Sequence, residues 1–149
     1  MKARDLPSSR LRSNPLLGYT AAMFEVRVEA DFSAAHFLKD YGGKCENLHG
    51  HNYRVLAHVE GETLGEGGML FDFSKLKEAL RAACAKLDHT NLNDIAFFED
   101  NPSAERIALF IANHILHELP QLRRSTGGQA WLCAVDVFET PTSRSRYRL

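Results

Sequence analysis

No stretch of this 149-residue chain comes near the ~18 consecutive apolar residues that a membrane-spanning helix needs. An excess of one charge is lacking too. The 18 Lys and Arg against 19 Asp and Glu leave a formal net charge of −1, which gives no basis for expecting nucleic acid or an anionic membrane as partner. Cysteine is scarce: Cys45, Cys84 and Cys133 are odd in number, widely spaced and accompanied by no secretory signal. They are expected as free thiols in a reducing, cytoplasmic setting. Internal repeats are absent. The composition, 44% hydrophobic and 25% charged, is that of one soluble domain able to bury its own core.

The first 22 residues, "MKARDLPSSRLRSNPLLGYTAA", differ from the rest. They carry Lys2, Arg4, Arg10 and Arg12 against Asp5 alone, and their longest apolar patch is too short for a secretory h-region. Pro7 and Pro15 argue against the continuous amphipathic helix of a transit peptide. Residues 1–22 are expected as a disordered extension or the product of a start assigned upstream of Met23, and 23–149 as a single domain.

Within that domain "MFEVRVEADF" alternates, with Phe24, Val26, Val28, Ala30 and Phe32 on one face and Glu25, Arg27, Glu29 and Asp31 on the other. This predicts a half-buried antiparallel strand. "NYRVLAHVEG", residues 52–61, predicts a second, and "GETLGEGG" supplies the turn after it. Asp72 and Ser74 are candidate helix caps ahead of a stripe at Leu76, Leu80, Ala83, Cys84 and Leu87. A second helix is expected from "NPSAE", with Asn101 as cap, Pro102 in the first turn and a stripe at Ala104, Ile107, Ala108, Ile111 and Ile115. Pro120 closes it. Gly127 and Gly128 turn the chain into "AWLCAVDVFET", a strand in which Trp131, Cys133, Val135 and Val137 share a face, and a short strand follows around Ser145–Leu149. The order β-β-α-α-β-β describes one α+β domain, whose one-faced strands need helices to cover them.

The chemistry concentrates in "KCENLHGHNY". In an extended chain residues two apart point the same way, so His49 and His51 present both imidazoles to one side. Two histidines cannot close a zinc shell, and His36 in "DFSAAHFL", just past the first strand, is the candidate third. Three neutral imidazoles with one open position describe a catalytic zinc, whereas structural zinc is four-coordinate and usually rich in thiolate. Cys45 lies within ligand spacing of His49, so spacing leaves a structural site open. His58, His114 and His117 are read as ordinary surface or core histidines.

Two further clusters tilt the choice toward catalysis. Asp88 directly precedes His89 after the first helix. Either His89 is a helix-terminal histidine favoured by the dipole, or it is a base oriented by a carboxylate near a thiol it can activate. Glu139 ends the apolar row of Val135 and Val137. It closes the strand with a salt bridge, or it awaits a planar, amidine-like donor edge that it can grip through two parallel hydrogen bonds.

"FSAAH", "CENLHGHNY", "DFSKLK", "LDHTNLN", "NPSAE" and "VFET", in that order from Met23 onward, resemble the 6-pyruvoyltetrahydropterin synthase / 6-carboxytetrahydropterin synthase family. The resemblance implies a tunnelling fold, an antiparallel four-stranded sheet with two helices on one face. It also implies homohexamers of two stacked trimers with intersubunit active sites. His36, His49 and His51 match zinc ligands, Cys45 the general base, Asp88 and His89 the rest of the proton relay, and Glu139 the pterin anchor. Ser103 stands where a threonine is usual, in a region lining the pterin pocket. The implied substrate is 7,8-dihydroneopterin triphosphate. The implied reaction is a zinc-dependent lyase step to 6-carboxy-5,6,7,8-tetrahydropterin, acetaldehyde and triphosphate on the route to queuosine. "CENLHGH" carries Glu46 beside Cys45 and resembles a subgroup that also forms 6-hydroxymethyl-dihydropterin for folate, while a 6-pyruvoyl product is a closer alternative within the family. A three-histidine hydrolase and a non-catalytic pterin- or metal-binding module are the readings from other classes.

Overall fold

The computed structural model describes residues 22–126 and 128–149. All of the expected N-terminal extension except Ala22 lies outside the described residues, as does Gly127 of the expected turn. The chain forms β1 (Phe24–His36), β2 (His49–Gly61), α1 (Phe73–Ala85), α2 (Ala104–Glu118), β3 (Trp131–Thr140) and β4 (Ser143–Arg148). The four strands make one antiparallel sheet in the order β1-β2-β3-β4. This is the expected α+β architecture. The helices pack on one face of the sheet, over a core that runs from Val28 and Phe32 through Val55, Ala57 and Val59 to Val135 and Val137. No helix among the described residues is long and apolar enough to cross a membrane.

The first two strands are longer than alternation alone suggested. β1 continues to His36, and β2 begins at His49 rather than Asn52. Each extra segment pairs with the other, Ala34 with His51 and His36 with His49, so hydrogen bonding outlasts the hydrophobic pattern. His36 is therefore the last residue of a strand and not a loop residue beyond it.

α1 starts as expected, with the Asp72 carboxylate accepting from the Ser74 N–H. α2 starts later than expected. Its N-cap is Ser103, whose hydroxyl accepts from the Arg106 N–H, whereas the Asn101 side chain accepts from the Lys39 N–H. A tertiary contact has taken the amide that would have capped the helix, and Pro102 precedes the cap instead of opening the first turn.

β3 departs from simple alternation. Val59 pairs with Leu132 but His58 pairs with Ala134, leaving Cys133 as an extra residue in a β-bulge. Ala130 and Leu132 face the core before the bulge, and Val135 and Val137 after it. Trp131 and Cys133 do not share that face: each is only half-buried, and the Trp131 ring lies under the Arg124 guanidinium.

Candidate metal centre and its surroundings

Both long strands alternate about one apolar face, and the residues at its open end are polar. Continuing β1 from Phe32 and Ala34 brings His36 onto the core side, and running β2 back from Tyr53 brings His51 and His49 there. Beyond the Cys133 bulge, Val135 and Val137 lead to Glu139 on the same side. Three strands thus deliver four side chains to one corner. The ligand atoms of His36, His49, His51 and Glu139 all lie within 4.8 Å of one another. The imidazole rings stand 4.6 Å (His36–His49), 4.9 Å (His49–His51) and 5.3 Å (His36–His51) apart.

Backbone carbonyls orient two of the rings. His36 Nδ1 donates to the Pro102 carbonyl at 2.9 Å, and His49 Nδ1 donates to the Asn47 carbonyl at 2.7 Å. Each of those rings therefore has its Nε2 left for the centre. His36 Nε2 and His51 Nε2 are buried and lack a hydrogen-bond partner. Glu139 Oε1 approaches them at 3.7 Å and 2.9 Å, attractive charge separations that do not have hydrogen-bond direction. Burial alone would lower the His36 pKa, but the Glu139 carboxylate and the Pro102 carbonyl outweigh it and raise it. His51 moves the opposite way, lowered by burial and by its two imidazole neighbours against the pull of Glu139. Glu139 is held below the usual carboxyl range by His36 foremost, then by His51 and His49, in spite of its burial.

Two orphaned imidazole nitrogens aimed at a common point, with a third imidazole and a carboxylate at the rim, fit a divalent ion with nitrogen and oxygen preferences. Cys45 is not in the group. It lies half-buried in the turn before β2, where its carbonyl accepts from the Leu38 N–H. The structural thiolate site left open by spacing is therefore not the arrangement formed.

The other expected site residues are distributed around this corner. Glu46 is exposed and its carboxylate accepts from the Gly42 N–H, closing its own loop. Asp88 and His89 do pair, Oδ2 to Nδ1 at 2.9 Å, at the outer edge of β1. The Asp88 carboxylate also accepts from the Ser33 N–H at 2.8 Å, and that bond, followed by His89, lowers its pKa. Backbone bonds from His89 N–H to the Ser33 carbonyl and from Ala35 N–H to the Thr90 carbonyl lay this segment along the strand. The His89 imidazole is 82% exposed, so within one chain it faces solvent. Ser103 and Glu139 line one recess of about 200 Å³ with Leu38, Glu105, Ser143 and Arg144.

Two supporting residues escaped the sequence. Tyr53 is fully buried beside the imidazoles, and its hydroxyl is unpartnered. Burial, followed by the nearby Glu139 charge, pushes its pKa up, so it stays a neutral phenol. Its position two residues after His51 was the available signal. Asn93 accepts from the Phe37 N–H and donates to the Phe37 and Asp100 carbonyls, clamping the chain directly after His36. No periodicity announces such a contact.

Residues 25–149 match the family model described as 6-pyruvoyl tetrahydropterin synthase. The chain belongs to this family. Among its relatives, the 6-carboxy-5,6,7,8-tetrahydropterin synthase of Synechocystis is 37% identical over 84% of this chain and 93% of its own length. The dihydroneopterin monophosphate aldolase of Pyrococcus furiosus is 43% identical over 61% of this chain and 74% of its own. Among solved structures, the Caenorhabditis elegans 6-pyruvoyl tetrahydropterin synthase superposes with a TM-score of 0.72 at 27% identity, covering 88% of this chain and 99% of that one. The β-β-α-α-β-β order of this chain is that of its family's fold.

Proposed function

We propose that this chain is a zinc-dependent lyase that converts 7,8-dihydroneopterin triphosphate to 6-carboxy-5,6,7,8-tetrahydropterin, acetaldehyde and triphosphate, a step toward queuosine. One observation carries the reading: the imidazoles of two paired strand ends converge, with free Nε2 atoms, on one point beside a carboxylate. The reaction consumes one water on balance. The first side-chain carbon is oxidised to the carboxylate while the ring and the terminal carbon are reduced, so no external oxidant is needed.

His36, His49 and His51 would hold the ion, which when bound supplies a Lewis acid that acidifies the side-chain hydroxyls of the substrate. Glu139 lines the recess with Ser103 and offers its carboxylate to the N3–H and 2-amino edge of the pterin. Cys45, as thiolate, removes a side-chain proton. His89, fixed by Asp88, returns a proton elsewhere on the chain.

Cys45 supplies no ligand atom to the histidine group and the His89 imidazole faces solvent in a single chain, so in the assembly proposed neighbouring copies would complete the site. The sheet supports this reading. Its two edges, β1 and β4, differ in charge on the face away from the helices, with Glu25, Arg27, Glu29 and Asp31, acidic on balance, on one and Arg144, Arg146 and Arg148 on the other. Edge-to-edge pairing would extend the sheet and match those charges. A homohexamer of two trimers is the assembly proposed.

Cleavage to 6-hydroxymethyl-dihydropterin is a second reading, favoured by the likeness to the aldolase-named relative. One assay separates the two: zinc-loaded protein is incubated with dihydroneopterin triphosphate, acetaldehyde is followed, and the pterin is identified by mass. Cys45→Ala is expected to abolish the carboxy product and its aldehyde while sparing some hydroxymethyl product. Equal loss of both would remove any separate role for Glu46. Absence of acetaldehyde with the unaltered protein would overturn the lyase reading.

A further inference from the structure

Tyr53 is 0% exposed, and its hydroxyl belongs with His36 Nε2 and His51 Nε2 among the buried polar atoms without a partner. A buried, unmade hydroxyl bond costs about 1–3 kcal/mol, a reason to ask which state of the molecule satisfies it. The ring has little freedom. Phe32 stacks on it at 4.7 Å, and the His51 and His36 rings meet it edge-on at 5.5 Å and 6.0 Å. Rotation about the C–O bond is the freedom that remains to the hydroxyl.

The strand register names the acceptor. Arg54 pairs with Phe138, so Tyr53, one residue before, and Glu139, one residue after, leave adjacent strands on the core side. In the metal-free protein Glu139 is drawn to His51 and His36 through their Nε2 edges. An ion taken by those nitrogens would replace them as the positive charge facing Glu139, and a carboxylate oxygen not turned to the ion would be left needing a donor. The phenol is the buried donor still beside it.

We propose that Tyr53 is a positioning residue for Glu139: with an ion held by the imidazoles, its O–H donates to the Glu139 carboxylate and fixes that side chain at the rim of the centre. The proposal rests on the metal-centre reading. It explains why a phenol, not a phenylalanine, stands beside the imidazoles and the carboxylate.

The test is Tyr53→Phe, with zinc affinity measured by chelator competition and Tm measured on metal-free protein. The ring and its stacking on Phe32 are retained. The metal-free variant is therefore expected to melt at the wild-type temperature or above, since an unsatisfied group is removed. Its zinc dissociation constant is expected to rise about tenfold, as is usual when an outer-sphere partner is lost. In a Glu139→Ala background the same change is expected to add nothing, because the acceptor is gone. Zinc binding within about threefold of wild type, or an equal loss in both backgrounds, would overturn the proposal. A lowered metal-free Tm with unchanged zinc affinity would assign Tyr53 a packing role and overturn it too. Failure of the unaltered protein to bind zinc would instead bring down the metal centre itself.

Discussion

Replacing Asn93 by alanine probes how the corner of the sheet is held. The Asn93 amide is 8% exposed and makes three hydrogen bonds of 2.9 Å, one from the Phe37 N–H and two to the carbonyls of Phe37 and Asp100. Each is worth roughly 1 kcal/mol net, so their loss together costs about 3 kcal/mol. For a domain of this size that lowers Tm by roughly 10 °C. The damage falls on the site, because Phe37 follows His36 and the next residue, Leu38, donates to the Cys45 carbonyl. Zinc affinity should weaken along with stability. Asn93→Asp keeps the acceptor but turns lone pairs toward two carbonyls, so it is expected to be at least as harmful. Calorimetry with and without zinc measures both effects. An alanine variant melting within about 2 °C of wild type would refute the clamp.

On the sheet face away from the helices, Asp136 is 1% exposed, takes two bonds from Arg146 at 2.7 Å and 2.8 Å, and meets His58 Nε2 at 2.9 Å. Burial works to raise its pKa, but Arg146 and His58 prevail and lower it. The stability this supplies is complete above the ordinary carboxyl value of ~3.9 and is lost as pH falls through the depressed one. Asp136→Asn is expected to cost about 3 kcal/mol at neutral pH and to flatten the dependence of urea midpoints on pH below ~4; an unchanged acid slope would count against it. Ser103→Ala removes the cap of α2, at about 1 kcal/mol. If Ser103 also contacts the pterin, KM rises with kcat preserved; a stability loss with unaltered KM would confine it to capping.

Strand and helix identities could be read where an element follows one period: alternation in β1, and stripes at Leu76–Leu87 and Ile107–Ile115. That His49 and His51 face the same way was legible for the same reason, since parity alone puts both on one side, whereas the placing of His36 needed the strand pairing. What could not be read depends on contacts between distant segments. Asn101 was expected to cap α2, but it is drawn to Lys39, 62 positions away. Cys133 looked like one more residue of an alternating row, and the bulge that displaces it is visible only in the pairing with β2. Glu46 looks chemically equal to Cys45 in "CENLHGH", yet its carboxylate is spent on its own loop. Such outcomes are set by competition among polar groups, which leaves no periodic trace.

The bulge at Cys133 has a further reach. In a strictly pleated strand begun from inward-facing Leu132, even-numbered residues would point inward to the end, and Glu139 would look away from the histidines. One surplus residue reverses that parity from Ala134 through Phe138, the last β3 residue paired with β2, and Glu139 follows on the reversed side. A deletion six positions upstream would therefore rotate the carboxylate to the opposite side of the sheet without altering its identity. Whether this protein has four convergent side chains or three is decided by a frame shift in its folding, at a residue that is not one of them.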